Sequence, residues 1–315
     1  MGAGRSRPKR DRRQGFPVTL DIMMPFYGRI DHFKLAVQSV LAQTNPDWRL
    51  VIVDDVYPDL SAGEWARSID DPRVTYHRNE KNLRPSLNYR RCVELMESEF
   101  AVLMGCDDVM APGYVERVTE LIASFPDASI IQPGVSTIDS DGVASRPLPD
   151  LIKSWYRFSG TGARQYSGEE LATSLLRANW TYFPSLCWRV SELRTYEFRL
   201  DLDVVQDLAM LLDITKGGGS LVLDDTAVFA YRRHSGSVSA VTGFDGSKFA
   251  QERTLFGEAD RDLSRLGWKR GALAARVHLT SRLNALSCLP GAVRSGNRSG
   301  RKALLRHVLG GNEAS

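Results

Sequence analysis

Cysteine is scarce: Cys92, Cys106, Cys187 and Cys288 are the only four in 315 residues, and no two of them form a CxxC pair. That scatter excludes a disulfide framework and a structural zinc site of the usual spacing. The thiols read as buried or incidental. Long apolar runs are missing too, since no stretch approaches the ~18 residues needed to cross a bilayer. The opening MGAGRSRPKRDRRQG carries basic charge with no apolar segment behind it, which is not the pattern of a secretory signal. These absences lead to the expectation of a cytoplasmic protein.

Acids are absent from one long stretch. Between Arg265 and Arg306 there are ten basic residues and no Asp or Glu, and the first 13 residues add six more basic ones. The body between these ends holds 25 basic and 36 acidic side chains, a balance near −11 that the overall charge of +3 conceals. Basic ends of this kind attract anionic surfaces, lipid or nucleic acid. Neither end contains a recognised nucleic-acid module or interleaved aromatics, so no nucleic-acid partner is expected. Solubilising tails are the plainer alternative.

With 43% apolar residues, the chain can bury a core. Val18–Met24 reads as a buried strand, followed by a helix over residues 31–43 with Phe33, Val37, Val40 and Leu41 on one face. Short apolar strands follow at Leu50–Val53, Val74–His77, Phe100–Met104 and Ser129–Gln132, with helices over 85–96 and 113–124. Strands alternating with helices predict a mostly parallel central sheet with helices on both faces. Residues 133–166 lose this rhythm and read as a long loop, either functional or without fixed structure. Ser167-Gly-Glu-Glu170 has the form of a capping box opening the run Leu171–Arg177. A helix over 204–214 stops at Gly217-Gly-Gly219, and short strands fit Leu221–Leu223 and Ala227–Tyr231.

In an open α/β sheet, ligands collect at the carboxyl ends of the strands. Two acidic pairs stand at such ends, Asp54-Asp55 after Val51–Val53 and Asp107-Asp108 after Val102–Gly105. One pair alone serves equally well to cap the next helix. Two pairs on one sheet converge on one crevice, where carboxylates suit a base, a ribose hydroxyl or a divalent metal.

In order and spacing these residues resemble the family 2 glycosyltransferases over roughly residues 18–118. The segments that carry the resemblance are Met24-Pro-Phe-Tyr27 after the first strand, Ser39–Gln43 in the first helix, Asp54-Asp55, the Asn-rich segment Asn79–Asn82 with Asn88, and Gly105-Cys-Asp-Asp108. Weaker agreement continues through Gln206-Asp207 and Tyr231-Arg-Arg-His-Ser235. The resemblance implies a GT-A fold with a Rossmann-like nucleotide-binding half, over residues 16–132, and an acceptor half over 133–262. Flanking these would be a basic disordered tail over 1–15 and a basic amphipathic helical extension over 263–315.

The resemblance also implies roles. Pro25, Phe26, Tyr27, Asp54 and Asp55 would receive the base and ribose of a nucleotide-sugar donor, with Asn82 nearby and Arg84 approaching the donor. Asp107 would hold Mg²⁺ or Mn²⁺ with the donor diphosphate, joined by Asp108 and His234, while Arg233 beside Arg232 would pair with phosphate. Asp207 would be the general base that deprotonates an acceptor hydroxyl, with Asp203 as its rival, and the reaction would invert the anomeric carbon. The acceptor would be a glycan or a lipid-linked glycan. Gly105 stands where the family usually has an acid, which puts metal affinity in doubt and keeps a non-catalytic nucleotide- or glycan-binding module as the alternative.

Two further features invite weighing. Trp180, Tyr182 and Phe183 could stack on an acceptor sugar, but core packing is the plainer reading. Trp268, Ala272, Ala275, Leu279, Leu283 and Leu286 recur at steps of four, three, four, four and three, one apolar helical stripe with basic residues elsewhere on the wheel. Such a helix would lie in an anionic membrane interface, at the inner face of the plasma membrane, or pack against the body.

Overall fold

The protein is described here by a computed structural model, over residues 20–233, 246–294 and 296–310. The expected tail over 1–15 and the candidate ligand His234 lie outside the described residues.

The first half alternates strands and helices: β1 (Leu20–Phe26), α1 (Ile30–Leu41), β2 (Trp48–Asp54), α2 (Ser61–Arg67), β3 (Val74–Arg78), α3 (Arg84–Glu94) and β4 (Phe100–Leu103). These four strands lie in the order β3-β2-β1-β4, all parallel. Register sets Phe26 beside Asp54 and Asp54 beside Arg78, so the carboxyl ends of β1, β2 and β3 finish level. Side chains alternate between two apolar layers, as the two-residue period of a strand requires. Met23, Val51, Val53, Ala101 and Leu103 face one layer, and Ile22, Met24, Leu50, Ile52 and Val102 the other.

The second half contains β5 (Val109–Met110), α4 (Tyr114–Ser124), β6 (Ile130–Ile138), α5 (Leu148–Tyr156), β7 (Arg164–Ser167), α6 (Gly168–Arg177), β8 (Cys187–Arg189), α7 (Val190–Tyr196), α8 (Gln206–Lys216) and β9 (Ser220–Arg232). β8 wedges antiparallel between β4 and β6, β9 runs parallel to β6, and β5 and β7 pair antiparallel with β9. The long ladders are the parallel ones, so the sheet is mixed with a parallel centre. Four helices close the chain: α9 (Ser247–Arg265), α10 (Lys269–Val277), α11 (Leu279–Arg294) and α12 (Arg298–Leu309).

Several expectations change. Residues 133–166 are not a loop but hold the end of β6, all of α5 and most of β7. The two short strands expected over 221–231 are one strand, because β9 follows β6 through a register shift at Gly134. A Cβ at Gly134 would lie 2.6 Å from the Asp225 carbonyl oxygen and 2.7 Å from the Ala227 nitrogen, so the two backbones meet where only glycine fits. The capping box does not form, since Ser167 makes no side-chain cap bond to α6. Glu169 instead accepts the Arg270 amide at 2.6 Å, at the start of α10. Trp180 is fully buried and donates to Ser174 Oγ at 3.0 Å, which makes it core.

The expected C-terminal stripe divides in two. His278, at φ +30°, breaks the helix between α10 and α11. Trp268, Ala272 and Ala275 pack into the main core with Leu255, Phe256 and Leu263 of α9, whereas Leu279, Leu283 and Leu286 stay exposed. The expected boundary at residue 262 falls inside α9.

Gly134→Ala forces β6 and β9 apart at their closest point. It should lower unfolding stability by about 1–3 kcal/mol, read as an earlier midpoint in urea with an unchanged slope.

Candidate active site

The floor of the crevice is built where β1 and β2 end. Phe26 is buried and stacks on Phe33 of α1 with ring centroids 4.2 Å apart. Tyr57 lies 5.0 Å from Phe26 and meets Tyr27 edge-on at 5.5 Å, and Tyr27 is 56% exposed, so this aromatic patch ends in an accessible ring. Pro25 is half-buried beside it. Tyr57 was missed by the sequence reading because it follows the acidic pair in a segment without periodicity.

Asp54 is fully buried and turned toward β3. It accepts the Tyr57 amide at 2.7 Å, Arg78 Nη1 at 2.5 Å and the Tyr76 hydroxyl. Asp55 organises the next loop: Oδ1 accepts Asn79 Nδ2 at 2.9 Å and the Leu83 amide at 2.7 Å, and Oδ2 accepts the Arg84 amide at 2.9 Å. Asn82 braces the same loop, donating to the Asp55 carbonyl at 3.0 Å and accepting the Arg84 amide at 3.1 Å. Arg84 and the β-branched Val56 both hold positive φ, +64° and +63°. Strain of this kind clusters at functional sites. Both acids therefore shape the floor through its backbone.

The second acidic turn, Gly105–Asp108, crosses from β4 to β5. Asp108 is buried, its Oδ1 accepts the Arg232 amide at 2.8 Å, and among the described residues no donor reaches Oδ2. Burial, and then the charge of Asp107, raise the Asp108 carboxyl well above its ordinary value. A Cβ at Gly105 would lie 2.5 Å from Asp108 Oδ2 and 2.9 Å from Asp107 Oδ1. Both carboxylates fold back over position 105, so the missing side chain is the room they occupy.

An orphaned carboxylate oxygen beside a second carboxylate fits a hard divalent cation. Among the described residues no group of three or more His, Cys, Asp and Glu stands ready to ligate. One or two carboxylates, completed by phosphate and water, are what Mg²⁺ takes.

Arg232, at the end of β9, and Arg233 just after it are engaged by the protein. Arg232 is buried, donating from Nε to the Asp107 carbonyl at 2.7 Å and from Nη1 to the Asp139 carbonyl at 3.0 Å. Arg233 grips Asp150 of α5 with two bonds, Nε–Oδ2 3.0 Å and Nη2–Oδ1 2.5 Å, and the Tyr182 hydroxyl adds a third at 2.9 Å. The charge expected to pair with phosphate is thus balanced in place. Asp150 and Tyr182 enter the site neighbourhood from segments read as loop or core, and only tertiary pairing reveals them.

Asp207 sits half-buried in the first turn of α8, where Asn179 Nδ2 donates to it at 2.9 Å. Its rival Asp203 accepts Ser86 Oγ at 2.6 Å and ties α3 to the turn that precedes α8. Burial raises the Tyr89 phenol well above its ordinary value, and Asp207 and Asp107 are among the neighbours that raise it further. Lys153 of α5 donates to the Thr181 carbonyl at 2.8 Å and sits 4.6 Å from the centre of the Tyr182 ring. Burial and then Arg233 bring its amine down to about 8, with Asp207 among the opposing charges.

A parallel-centred sheet flanked by helices, with acidic turns on either side of β1, has the GT-A architecture. The chain shares that fold with the S. aureus TarS 1–349 fragment solved with UDP-GlcNAc, at a TM-score of 0.66 and 15% identity over 92% of this chain and 81% of that one. It shares it likewise with the mannosyltransferase PcManGT of Pyrobaculum calidifontis solved with GDP-Man and Mn²⁺, at 0.60 and 13% over 92% and 79%. The chain belongs to glycosyl transferase family 2, whose family model matches residues 21–187, just over half of it. It is 24% identical to the succinoglycan biosynthesis protein ExoO of Rhizobium meliloti over 235 residues, 70% of this chain and 62% of that protein. Other curated relatives are much longer, and the chain spans only 14% to 23% of the length of three of them.

An unfolded lysine titrates near 10.4, so between about pH 8 and that value the unfolded chain binds more protons than the folded one. The Lys153 contribution therefore makes stability rise with pH across this window. Lys153→Met should flatten that rise in thermal unfolding followed against pH.

Proposed function

We propose that the chain is an inverting glycosyltransferase that moves a sugar from a nucleoside diphosphate sugar to an acceptor hydroxyl on a glycan or glycolipid. The observation that carries this reading is the Gly105–Asp108 turn, where no described donor reaches Asp108 Oδ2, at the carboxyl end of a sheet whose two acidic turns flank β1. Uridine diphosphate is the carrier we favour, a choice supported by the TarS neighbour solved with UDP-GlcNAc. A metal requirement is supported by the mannosyltransferase solved with Mn²⁺. A polysaccharide or lipid-linked acceptor agrees with the similarity to ExoO, a succinoglycan biosynthesis protein.

In this proposal the exposed face of Tyr27, backed by Tyr57 and Phe26, receives the base. Pro25 and the Asp55-held loop with Asn82 and Arg84 shape the space for the ribose. Asp107 and Asp108 hold Mg²⁺ or Mn²⁺. The bound cation supplies Lewis-acid stabilisation of the charge growing on the departing diphosphate. Asp207, oriented by Asn179, takes the proton of the acceptor hydroxyl as its oxygen attacks the anomeric carbon. One in-line displacement inverts that carbon. Arg233, through its grip on Asp150, holds α5 at the edge of the crevice. We place the enzyme in the cytoplasm, attached peripherally at the inner face of the plasma membrane where a lipid-linked acceptor would be presented. The non-catalytic alternative loses its motive, because Gly105 makes room for two carboxylates instead of marking a lost one.

Hydrolysis of a panel of nucleotide sugars, with and without divalent metal, tests the proposal. Slow metal-dependent release of one nucleoside diphosphate is expected, falling by about 10²–10⁴-fold in Asp207→Asn with an acceptor present while nucleotide binding persists. Tight nucleotide binding without turnover on any donor or acceptor would leave the non-catalytic module, and no binding at all would overturn both. A second expectation runs against intuition. Gly105→Asp, which restores the family's usual acid, should weaken Mn²⁺ binding in calorimetric titration, because its Cβ displaces Asp107 and Asp108.

A further inference from the structure

The C-terminal helices carry a surface that plays no part in the candidate active site. α11 has two faces. Ala285 and Ala292 are buried with Phe249 of α9 and Leu304 of α12 in a small separate core. On the opposite side Leu279, Leu283, Leu286, Pro290 and Val293 recur at steps of four, three, four and three. That spacing gathers them within roughly 80° of the helix circumference. All five are exposed, the leucines and the valine by 49% to 55%. α12 packs beside α11 and repeats the division. Its Leu304 and His307 are buried, whereas Arg298, Arg301, Lys302, Leu305 and Leu309 share one exposed face. No described helix is long and apolar enough to cross a membrane.

We propose that the outer face of the α11–α12 pair docks on an anionic phospholipid bilayer. Its leucines enter the boundary between headgroups and acyl chains, and Arg294, Arg298, Arg301 and Lys302 meet the lipid phosphates. Long basic side chains suit this place, because their stems lie along apolar surface while their heads stay wet. Charge selects the partner. The segment from Arg265 to Arg306 contains no acid, so a second copy of the same face would bring like charges together, whereas a phosphate surface complements them. The inference rests on the peripheral attachment proposed above and sharpens it to particular residues. Trp268, Ala272 and Ala275 take no part: the two alanines are buried in the main core and the half-buried Trp268 packs against it.

The test is co-sedimentation of the full chain with vesicles of phosphatidylcholine alone and of phosphatidylcholine mixed with phosphatidylglycerol. Binding is expected only to the anionic vesicles, weakening as salt rises. The triple variant Arg298→Glu, Arg301→Glu, Lys302→Glu should bind at least about 100-fold more weakly, at a loss of around fivefold or more per basic residue. Leu283→Ser with Leu286→Ser should also release the protein, and far-ultraviolet circular dichroism should show both variants folded. Donor hydrolysis by the same variants should be unchanged, which separates failure here from failure of the transferase reading. Equal binding by wild type and the charge-reversed variant would overturn the proposal. So would binding to neither vesicle, a dimer in light scattering that Leu283→Asp dissociates, or salt-sensitive binding to random DNA in place of vesicles.

Discussion

A carboxylate removed from water must be given hydrogen bonds, and the site depends on how three of them are supplied. Asp54, Asp55 and Asp108 all lie at the carboxyl ends of strands and are all at most 3% exposed. Burying an unpaired charge is costly, so the chain brings donors to each from distant segments. Asp55 draws in the amides of Leu83 and Arg84, and that demand folds the Asn79–Arg84 loop over the end of β2. Asp54 fastens β2 to β3 through Arg78. Asp108 receives the Arg232 amide and so fixes the end of β9 against the turn after β4. Among the described residues, Asp108 alone of the three keeps an oxygen without a donor, and that oxygen is the one proposed to meet a cation.

The first four strands and their acids were legible because parallel strands covered on both faces are written as short apolar runs between helical patterns. The acidic pairs stood at strand ends, so their place in the crevice followed from position alone. What did not follow was which groups they bind. Sequence offered Arg232 and Arg233 to a phosphate. The structure engages one with backbone carbonyls and the other with Asp150, a residue 83 positions away. β8 is three residues long, too short to show a period, and its antiparallel place depends on pairing with strands already laid down. α5 lay in a stretch rich in Gly, Ser and Pro, where a nine-residue helix leaves little pattern. The single C-terminal stripe failed for a local reason, since periodicity does not register the left-handed turn at His278.

Gly105 shows why one unusual residue is better read with its neighbours than against a family pattern. As a lone letter it looks like a missing ligand. In place, its lack of a side chain lets Asp107 and Asp108 curl back over the turn. The oxygen-rich end of the crevice is therefore made of two consecutive side chains, and the backbone beneath them forms the third wall.

The last helices are a bracket, not a tether. α9 and α10 bury Leu255, Phe256, Leu263 and Ala275 in the same core as Trp180 and Trp188, and Gly271 brings α10 so near that a Cβ there would lie 3.0 Å from Leu263 Cδ1. A surface carried on a bracket stands at a fixed height and tilt relative to the crevice. Under the bilayer docking proposed above, the catalytic body would not reach for its acceptor on a flexible arm. On that proposal the span between an acceptor's anchor and its reactive hydroxyl would become a selection rule, read by the rigidity of the fold without any contact to the sugar.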